Sequence, residues 1–183
     1  MATLLTSESL IGTRTECNQI ADLLKRGVLI KSDHIDNVTL YTARYVTEAS
    51  TTTSIRSIVC ATEDGVCIDA FVGVPHCIEY NDESVLESDL DVIKCKCFNS
   101  IEGTLIKVYH MNGRWFTSTN KKLNAFRSKW AAKTESFGAR FVAAIRLLIS
   151  RHDSIENTRP GETDVEFLSR IYEGSLDKNK RYL

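Results

Sequence analysis

The dipeptide Asn112-Gly113 lies between two segments in which β-branched and aromatic residues dominate, residues 103–109 and 114–119. A type I′ turn needs two consecutive residues with positive φ, and Asn-Gly adopts that conformation at low steric cost. The pattern therefore predicts a β-hairpin. This hairpin makes an antiparallel sheet the first expectation for the fold.

Three upstream segments also have the composition of strands, residues 38–45, 54–61 and 65–72. Glu63-Asp64-Gly65, between the last two, is a further hairpin signal. Apolar spacing and terminal residues predict three helices, at residues 15–27, 136–151 and 163–173. The fold class is therefore predicted to be α+β, a mostly antiparallel sheet with flanking helices. Because the chain has 183 residues and is 43% hydrophobic, we expect one domain over residues 1–183.

The charges are unevenly distributed, although the net charge is only -1. Residues 79–91 contain six acidic residues and no basic one, whereas residues 94–140 contain ten Lys and Arg against two acids. Such a division favours an anionic ligand on one face of the domain. Two oppositely charged surfaces without a ligand explain the pattern equally well.

The six cysteines and four histidines lack the spacing of a metal or catalytic site. No CxxC pair occurs, and Cys95 and Cys97 alternate with lysines, so in a strand both sulfurs would face the same way as small apolar side chains. We therefore predict no metal site. No apolar run approaches the ~18 residues that span a bilayer, and the first 17 residues lack a basic segment followed by an apolar stretch, so we expect a cytoplasmic protein without membrane partners.

Residues 100–122 read SIEGTLIKVYHMNGRWFTSTNKK and place the box Ser100-Ile101-Glu102-Gly103-Thr104 directly before the hairpin. This segment resembles the nucleotide-binding hairpin of RNA ligases among the covalent nucleotidyltransferases, and above all ligase-like proteins of large DNA viruses. Upstream, Arg56-Ser57-Ile58-Val59 resembles the family's Arg-Gly strand. Downstream, residues 123–130 and Ser136-Phe137-Gly138 resemble the viral group. The resemblance covers most of the chain and implies an incomplete nucleotidyltransferase (ligase adenylation) domain.

In the resembled family a lysine amine attacks the α-phosphate of ATP, and this chain has Ser100 at that position. The nearest upstream amine, Lys96, would lie about 13 Å away along an extended strand. The family's later boxes are also missing, because residues 173–180 combine their residue types only superficially and are too short for two strands. We therefore expect a truncated domain without a catalytic residue and without ATP or magnesium as cofactors.

The resemblance leaves two sets of candidate binding residues. Arg56, Glu102 and Gly103 occupy positions at which the family holds its nucleotide. The nucleic-acid-binding candidates follow the turn of the hairpin, and they are Arg114, Trp115, Lys121, Lys122, Arg127 and Lys129. Aromatic residues at 115, 116, 126 and 130 interleave them, which suits stacking on exposed bases. The alternative is that these rings pack beneath the hairpin.

Together these features lead to the hypothesis of a catalytically inactive RNA-ligase-like module of a large DNA virus. Its partner would be RNA, DNA, or a protein that pairs with an open sheet edge, the last in a virion or assembly-associated role. Its location would be the host cytoplasm or the virion. The competing hypothesis is an active ATP-dependent RNA ligase or nucleotidyltransferase with a displaced or split active site.

Overall fold

The computed structural model of the protein describes residues 6–7, 14–43, 57–64, 66–73, 103–130, 134–151 and 159–182. Within these ranges the chain forms eight β-strands, three α-helices and a 3-10 turn. The strands are β1 (Thr6–Ser7), β2 (Leu29–Ile35), β3 (Val38–Ala43), β4 (Ser57–Glu63), β5 (Val66–Val72), β6 (Lys107–Met111), β7 (Arg114–Ser118) and β8 (Arg181–Tyr182). The helices are α1 (Arg14–Lys25), α2 (Phe137–Ile149) and α3 (Asp164–Ser175), and the 3-10 turn is Ala125–Arg127.

The strands form two antiparallel sheets of four strands each. The first sheet has the order β1-β8-β6-β7, and the second has the order β2-β3-β4-β5. This architecture confirms the predicted α+β class and the antiparallel pairing. Its likeness to a ligase adenylation domain stays a prediction.

The two sheets pack face to face around an apolar core. Val59 and Phe71 of the second sheet meet Tyr109 and Phe116 of the first, all nearly or fully buried. The outer face of the first sheet is covered by α2 and α3, through residues such as Val142 and Phe167. The outer face of the second sheet carries α1. The resulting order of layers is helix, sheet, sheet, helices. None of the helices described in these ranges is long and apolar enough to cross a membrane.

The β6–β7 hairpin has the predicted turn. Asn112 and Gly113 have φ values of 48° and 75°, and the register pairs Met111 with Arg114. A second hairpin, β2–β3, was not predicted. Its first strand carries a run of four polar residues, 31–34, and lies at the edge of its sheet, where polar side chains remain solvated.

Both C-terminal helices begin at side-chain caps. The Ser136 Oγ accepts a hydrogen bond from the Ala139 N–H at 3.1 Å, and Thr163 and Glu166 form a capping box. The helices predicted at residues 136–151 and 163–173 therefore lie within two residues of their observed limits. The short strand β8, which pairs with β1 and β6, was not predicted.

Candidate functional site

A cleft of about 260 Å³ opens where β7 meets the 3-10 turn and α3. Among the described residues β7 is the last strand of its sheet, and residues 114–117 along it line the cleft. The remaining lining residues come from Ile35, the segment 123–127 and one face of α3. Two neighbouring segments, β7 and residues 123–127, therefore build one concave surface together with Ile35 and the distant helix α3.

The segment 123–127 contributes Leu123, Asn124, Phe126 and Arg127 to the cleft. The Asn124 Oδ1 accepts a hydrogen bond from the Phe126 N–H at 2.8 Å, which caps the 3-10 turn. The Phe126 ring lies against Gly138, where a Cβ would come within 2.6 Å of the ring. The Ser136-Phe137-Gly138 segment thus has a physical role: it caps α2 and leaves room for an aromatic wall of the cleft.

The face of α3 toward the cleft consists of Val165, Leu168, Ser169 and Tyr172. The sequence pattern predicted this helix, but none of its residues was among the predicted site residues. The signal was present, because these four residues follow the i, i+3, i+4, i+7 spacing of one helix face. The Tyr172 hydroxyl is 2.9 Å from Thr117 Oγ1, which ties the helix to β7.

Arg114, one of the predicted nucleic-acid-binding residues, lies at one end of the cleft with several internal contacts. Its Nη1 is 2.7 Å from Asp36 Oδ2, and its Nη2 donates to the Ile35 carbonyl at 3.3 Å. The guanidinium also lies 4.7 Å from the centroid of the Phe116 ring. Among the described residues its buried Nε has no hydrogen-bond partner. Arg114 is therefore a positioned, half-exposed cation.

Trp115, the second predicted residue in the cleft, is held by contacts on several sides. Its Nε1 donates to Glu173 Oε1 at 3.0 Å, and its ring lies 5.5 Å from that of Tyr172 and 5.3 Å from that of His110. The hydrogen bond from Lys178 holds the pKa of Glu173 below its ordinary value, and the Trp115 N–H lowers it further. The indole is thus fixed by an ionised acceptor at neutral pH.

Arg127 is the third predicted residue in the cleft, and it is exposed. Lys121 and Lys129 are exposed and Lys122 is half-buried; none of the three lines the cleft, although Lys122 directly precedes Leu123. No acidic side chain described in the structure pairs with any of these four cations. The structure therefore gathers Arg114, Trp115 and Arg127, and it leaves the three lysines on the flanking segment.

Two of the three predicted nucleotide-binding residues, Arg56 and Glu102, lie outside the described residues, as does Ser100. Gly103 is exposed, and a Cβ placed there would meet no atom within 4 Å, so packing does not require glycine at this position. The segments that follow Arg56 and Gly103 in the sequence are in contact. Ser57 Oγ accepts a hydrogen bond from the Lys107 Nζ at 3.2 Å, and both residues are fully buried. The start of β4 and the start of the β6–β7 hairpin are therefore in contact.

No group of three His, Cys, Asp or Glu side chains within the described ranges is arranged to hold a metal ion. The donors around the cleft are instead guanidinium, hydroxyl, amide and indole groups beside apolar rings. This set can hydrogen-bond an anion and contact a flat apolar surface, and it offers no pair of carboxylates for acid-base chemistry.

The chain is 28% identical over 113 residues to the immediate-early protein ICP-46 of Frog virus 3 (isolate Goorha). The match covers 62% of this chain and 27% of that protein, so the chain spans about a quarter of the length of this curated relative. No protein-family model and no solved structure matches the chain. The similarity supports the predicted connection to a large DNA virus, and the relationship to RNA ligases stays a prediction.

Proposed function

We propose that the chain is a catalytically inactive, RNA-ligase-like module of a large DNA virus that binds single-stranded RNA in the cleft along β7. The observation that carries this proposal is the convergence of Arg114, Trp115 and Arg127 in one cleft with aromatic walls. A guanidinium binds phosphate oxygens, and an aromatic ring stacks on a base. The phosphate and the base of a nucleotide therefore each have a complementary group in the cleft.

The size of the cleft favours a single strand over a duplex. Its volume of about 260 Å³ lies just below the range of roughly 300 to 1,000 Å³ that is usual for ligand pockets. A space of this size accepts an unstacked base with its phosphate, whereas a paired base is shielded inside its helix. We propose RNA and not DNA as the ligand because RNA is the substrate of the family that the hairpin resembles.

The flanking lysines extend the proposed contact surface. Lys121 and Lys122 precede the cleft-lining segment 123–127, and Lys129 follows it. A strand whose base enters the cleft would pass its neighbouring phosphates over these ammonium groups. Binding should therefore weaken as salt rises, because each phosphate contact releases counterions.

Fluorescence anisotropy with a labelled single-stranded RNA of about ten nucleotides tests the proposal. Arg127→Gln should weaken binding several-fold and reduce the slope of log K against log salt by about 0.7, the value for one lost contact on a single strand. Arg151→Gln is the matched control, because Arg151 is also exposed and lies outside the cleft. Single-stranded DNA and duplex RNA of the same sequence measure the preference for single-stranded RNA.

Phe126→Leu tests the stacking part of the proposal. Stacking on an aromatic ring contributes about 1 to 3 kcal/mol per base, so this substitution should weaken binding by roughly five-fold or more. Two results would overturn the proposal: no binding of the unmodified protein at low salt, or equal affinities for Arg127→Gln, Phe126→Leu and the Arg151→Gln control.

A second candidate function, covalent nucleotidyl transfer from a displaced lysine, is favoured by one observation. Lys107 follows Ser100 by seven residues in the sequence, and its fully buried side chain lies beside Ser57, the residue after Arg56. Covalent nucleotidyl transfer of this kind requires a lysine side chain as the nucleophile. Incubation with labelled ATP or GTP and Mg²⁺, followed by denaturation and peptide mapping, decides between the candidates. We expect no adduct, and an adduct on Lys107 would establish the second function.

We propose the host cytoplasm as the site of action, with the virion as the second location. Immunoblotting of purified particles and of cytoplasmic fractions from infected cells distinguishes them. If the protein binds no RNA and forms no adduct, a protein partner that pairs with the edge of β7 becomes the leading alternative.

A further inference from the structure

Cys60 of β4 and Cys67 of β5 bring their sulfur atoms to 2.8 Å from each other. Both residues are thiols; Cys60 is buried and Cys67 is half-buried. A disulfide bond has an S–S distance of about 2.05 Å, so bond formation needs only a small shift of two side chains on paired strands. The strands themselves can stay in register.

A β-bulge is responsible for this proximity. The pairing of β4 with β5 runs from Cys60 with Ala70 and Ala61 with Asp69 to Thr62 with Cys67, which leaves Ile68 as an extra residue. Strict alternation would place Cys67 on the same side as Phe71, between the two sheets. The extra residue reverses the alternation, so Cys67 joins Cys60 in the apolar cluster beneath α1.

The surroundings of the two sulfurs decide which one an oxidant reaches first. Each sulfur lies 3.7 Å from a backbone carbonyl, Cys60 from Ala61 O and Cys67 from Asp69 O. Leu23 of α1 and Leu29 of β2 belong to the cluster around Cys60 and shield its sulfur. The half-buried Cys67 is therefore the sulfur that an oxidant reaches first, and Cys60 is positioned to react with the oxidised product.

We propose that Cys60 and Cys67 form a site of oxidative modification at which peroxide produces an intramolecular disulfide. The Cys67 thiolate attacks a peroxide oxygen, the O–O bond breaks, and hydroxide leaves, so that Cys67 becomes a sulfenic acid. The Cys60 thiolate then attacks the Cys67 sulfur, the S–O bond breaks, and the second oxygen leaves as hydroxide. The two cysteines lose two electrons in all, and hydrogen peroxide is reduced to two molecules of water once the released thiol protons are counted.

This disulfide would join β4 to β5 at the bulge, on the face that carries α1. A dithiol reductant restores the two thiols by exchange through a mixed disulfide. The site is separate from the cleft along β7 and does not depend on what the cleft binds.

The experiment uses the whole chain with its six cysteines, treated with hydrogen peroxide. Non-reducing digestion after Glu63 and Asp69 places Cys60, Cys67 and Cys77 on three different peptides, so a linked pair of peptides identifies the bond. We expect two titratable thiols to be lost, the mass to fall by about 2 Da, and dithiothreitol to reverse both changes.

Substitutions identify the order of events. In Cys60→Ser, Cys67 should accumulate as a sulfenic acid that dimedone traps, whereas Cys95→Ser, as the control, should form the disulfide like the unmodified protein. Recovery of Cys60 and Cys67 as unlinked peptides from the oxidised unmodified protein, or linkage of either to another cysteine, would overturn the proposal.

Discussion

Gly138, in the first turn of α2, supports the ring of Phe126: a Cβ on Gly138 would meet ring atoms Cγ, Cδ1 and Cδ2 at 2.6 to 2.8 Å. Ordinary contacts between carbon atoms are about 3.5 to 4.0 Å. The absence of a side chain at residue 138 therefore allows Phe126 to lie flat against the helix while it lines the cleft along β7. A methyl group in place of the Gly138 hydrogen would therefore displace the Phe126 wall of the cleft.

Gly138→Ala should lower the free energy of unfolding by about 1 to 3 kcal/mol, because the added methyl group overpacks the Phe126 contact. Gly174→Ala is the matched control, since a Cβ on Gly174 in α3 meets no atom within 4 Å. The control should be neutral or stabilising by up to about 1 kcal/mol, as expected for alanine in a helix. Urea denaturation measures both. Equal effects of the two substitutions would contradict the close contact.

Gly138→Ala should also weaken RNA binding if the cleft is the binding site. A displaced Phe126 ring changes the wall on which a base would stack, whereas Gly174→Ala leaves the cleft unchanged. Anisotropy titrations of the two variants, made at a temperature where both are folded, separate this effect from loss of stability.

The hydrogen bond between Trp115 and Glu173 should make the tryptophan fluorescence pH-dependent. Contacts with Lys178 and Trp115 hold the pKa of Glu173 below 4.5, its ordinary value. A carboxylate with a lowered pKa stabilises the fold above its ordinary pKa, and that contribution is lost as the pH falls through the lowered value. In a Trp130→Phe background, Trp115 emission should therefore change below pH 4.5.

Glu173→Gln should remove this fluorescence transition, because the amide does not titrate. Glu135→Gln should retain it, because Glu135 pairs with Arg140 and not with Trp115. A transition that persists in Glu173→Gln would show that another group reports the pH change.

Ser57 and Gly73 should be strongly coupled in stability measurements. A Cβ on Gly73 would lie 2.3 Å from Ser57 Oγ, the atom that accepts the hydrogen bond of the Lys107 ammonium. Gly73→Ala should cost about 1 to 3 kcal/mol by overpacking, and Ser57→Ala about 1 to 3 kcal/mol by removing the buried acceptor. In the double variant the clash with the hydroxyl is absent. The combined cost should therefore be smaller than the sum, and strict additivity in a double-mutant cycle would contradict this geometry.

The capping box of α3 predicts a graded series at Thr163. The Glu166 N–H donates to Thr163 Oγ1 at 3.3 Å, and the Thr163 N–H donates to Glu166 Oε2 at 2.8 Å. Thr163→Ala should destabilise the protein by about 0.5 to 2 kcal/mol, whereas Thr163→Ser should retain most of the stability. The bonds from Thr163 also lower the pKa of Glu166, so NMR titration should show that pKa rising in Thr163→Ala. An unchanged pKa would mean that the threonine hydroxyl is not the main cause.

The sequence alone determined the local elements. Asn112-Gly113 specified the turn of the β6–β7 hairpin, and apolar spacing specified α2 and α3 to within two residues, because these features depend on backbone preferences and on near neighbours in the chain. The edge strand β2 and the two-residue strand β8 escaped prediction. In both, pairing with other strands supplies the stability that local composition lacks.

The tertiary structure alone decided which side chains meet. The basic and aromatic composition of residues 114–130 indicated binding, but only the packing of α3 against β7 selected Arg114, Trp115 and Arg127 for one cleft. The spacing of Cys60 and Cys67 likewise gave no signal until the bulge at Ile68 placed them on one face. Side chains from distant segments meet because of burial and strand register, which depend on many parts of the chain at once. No local sequence pattern therefore encodes these contacts.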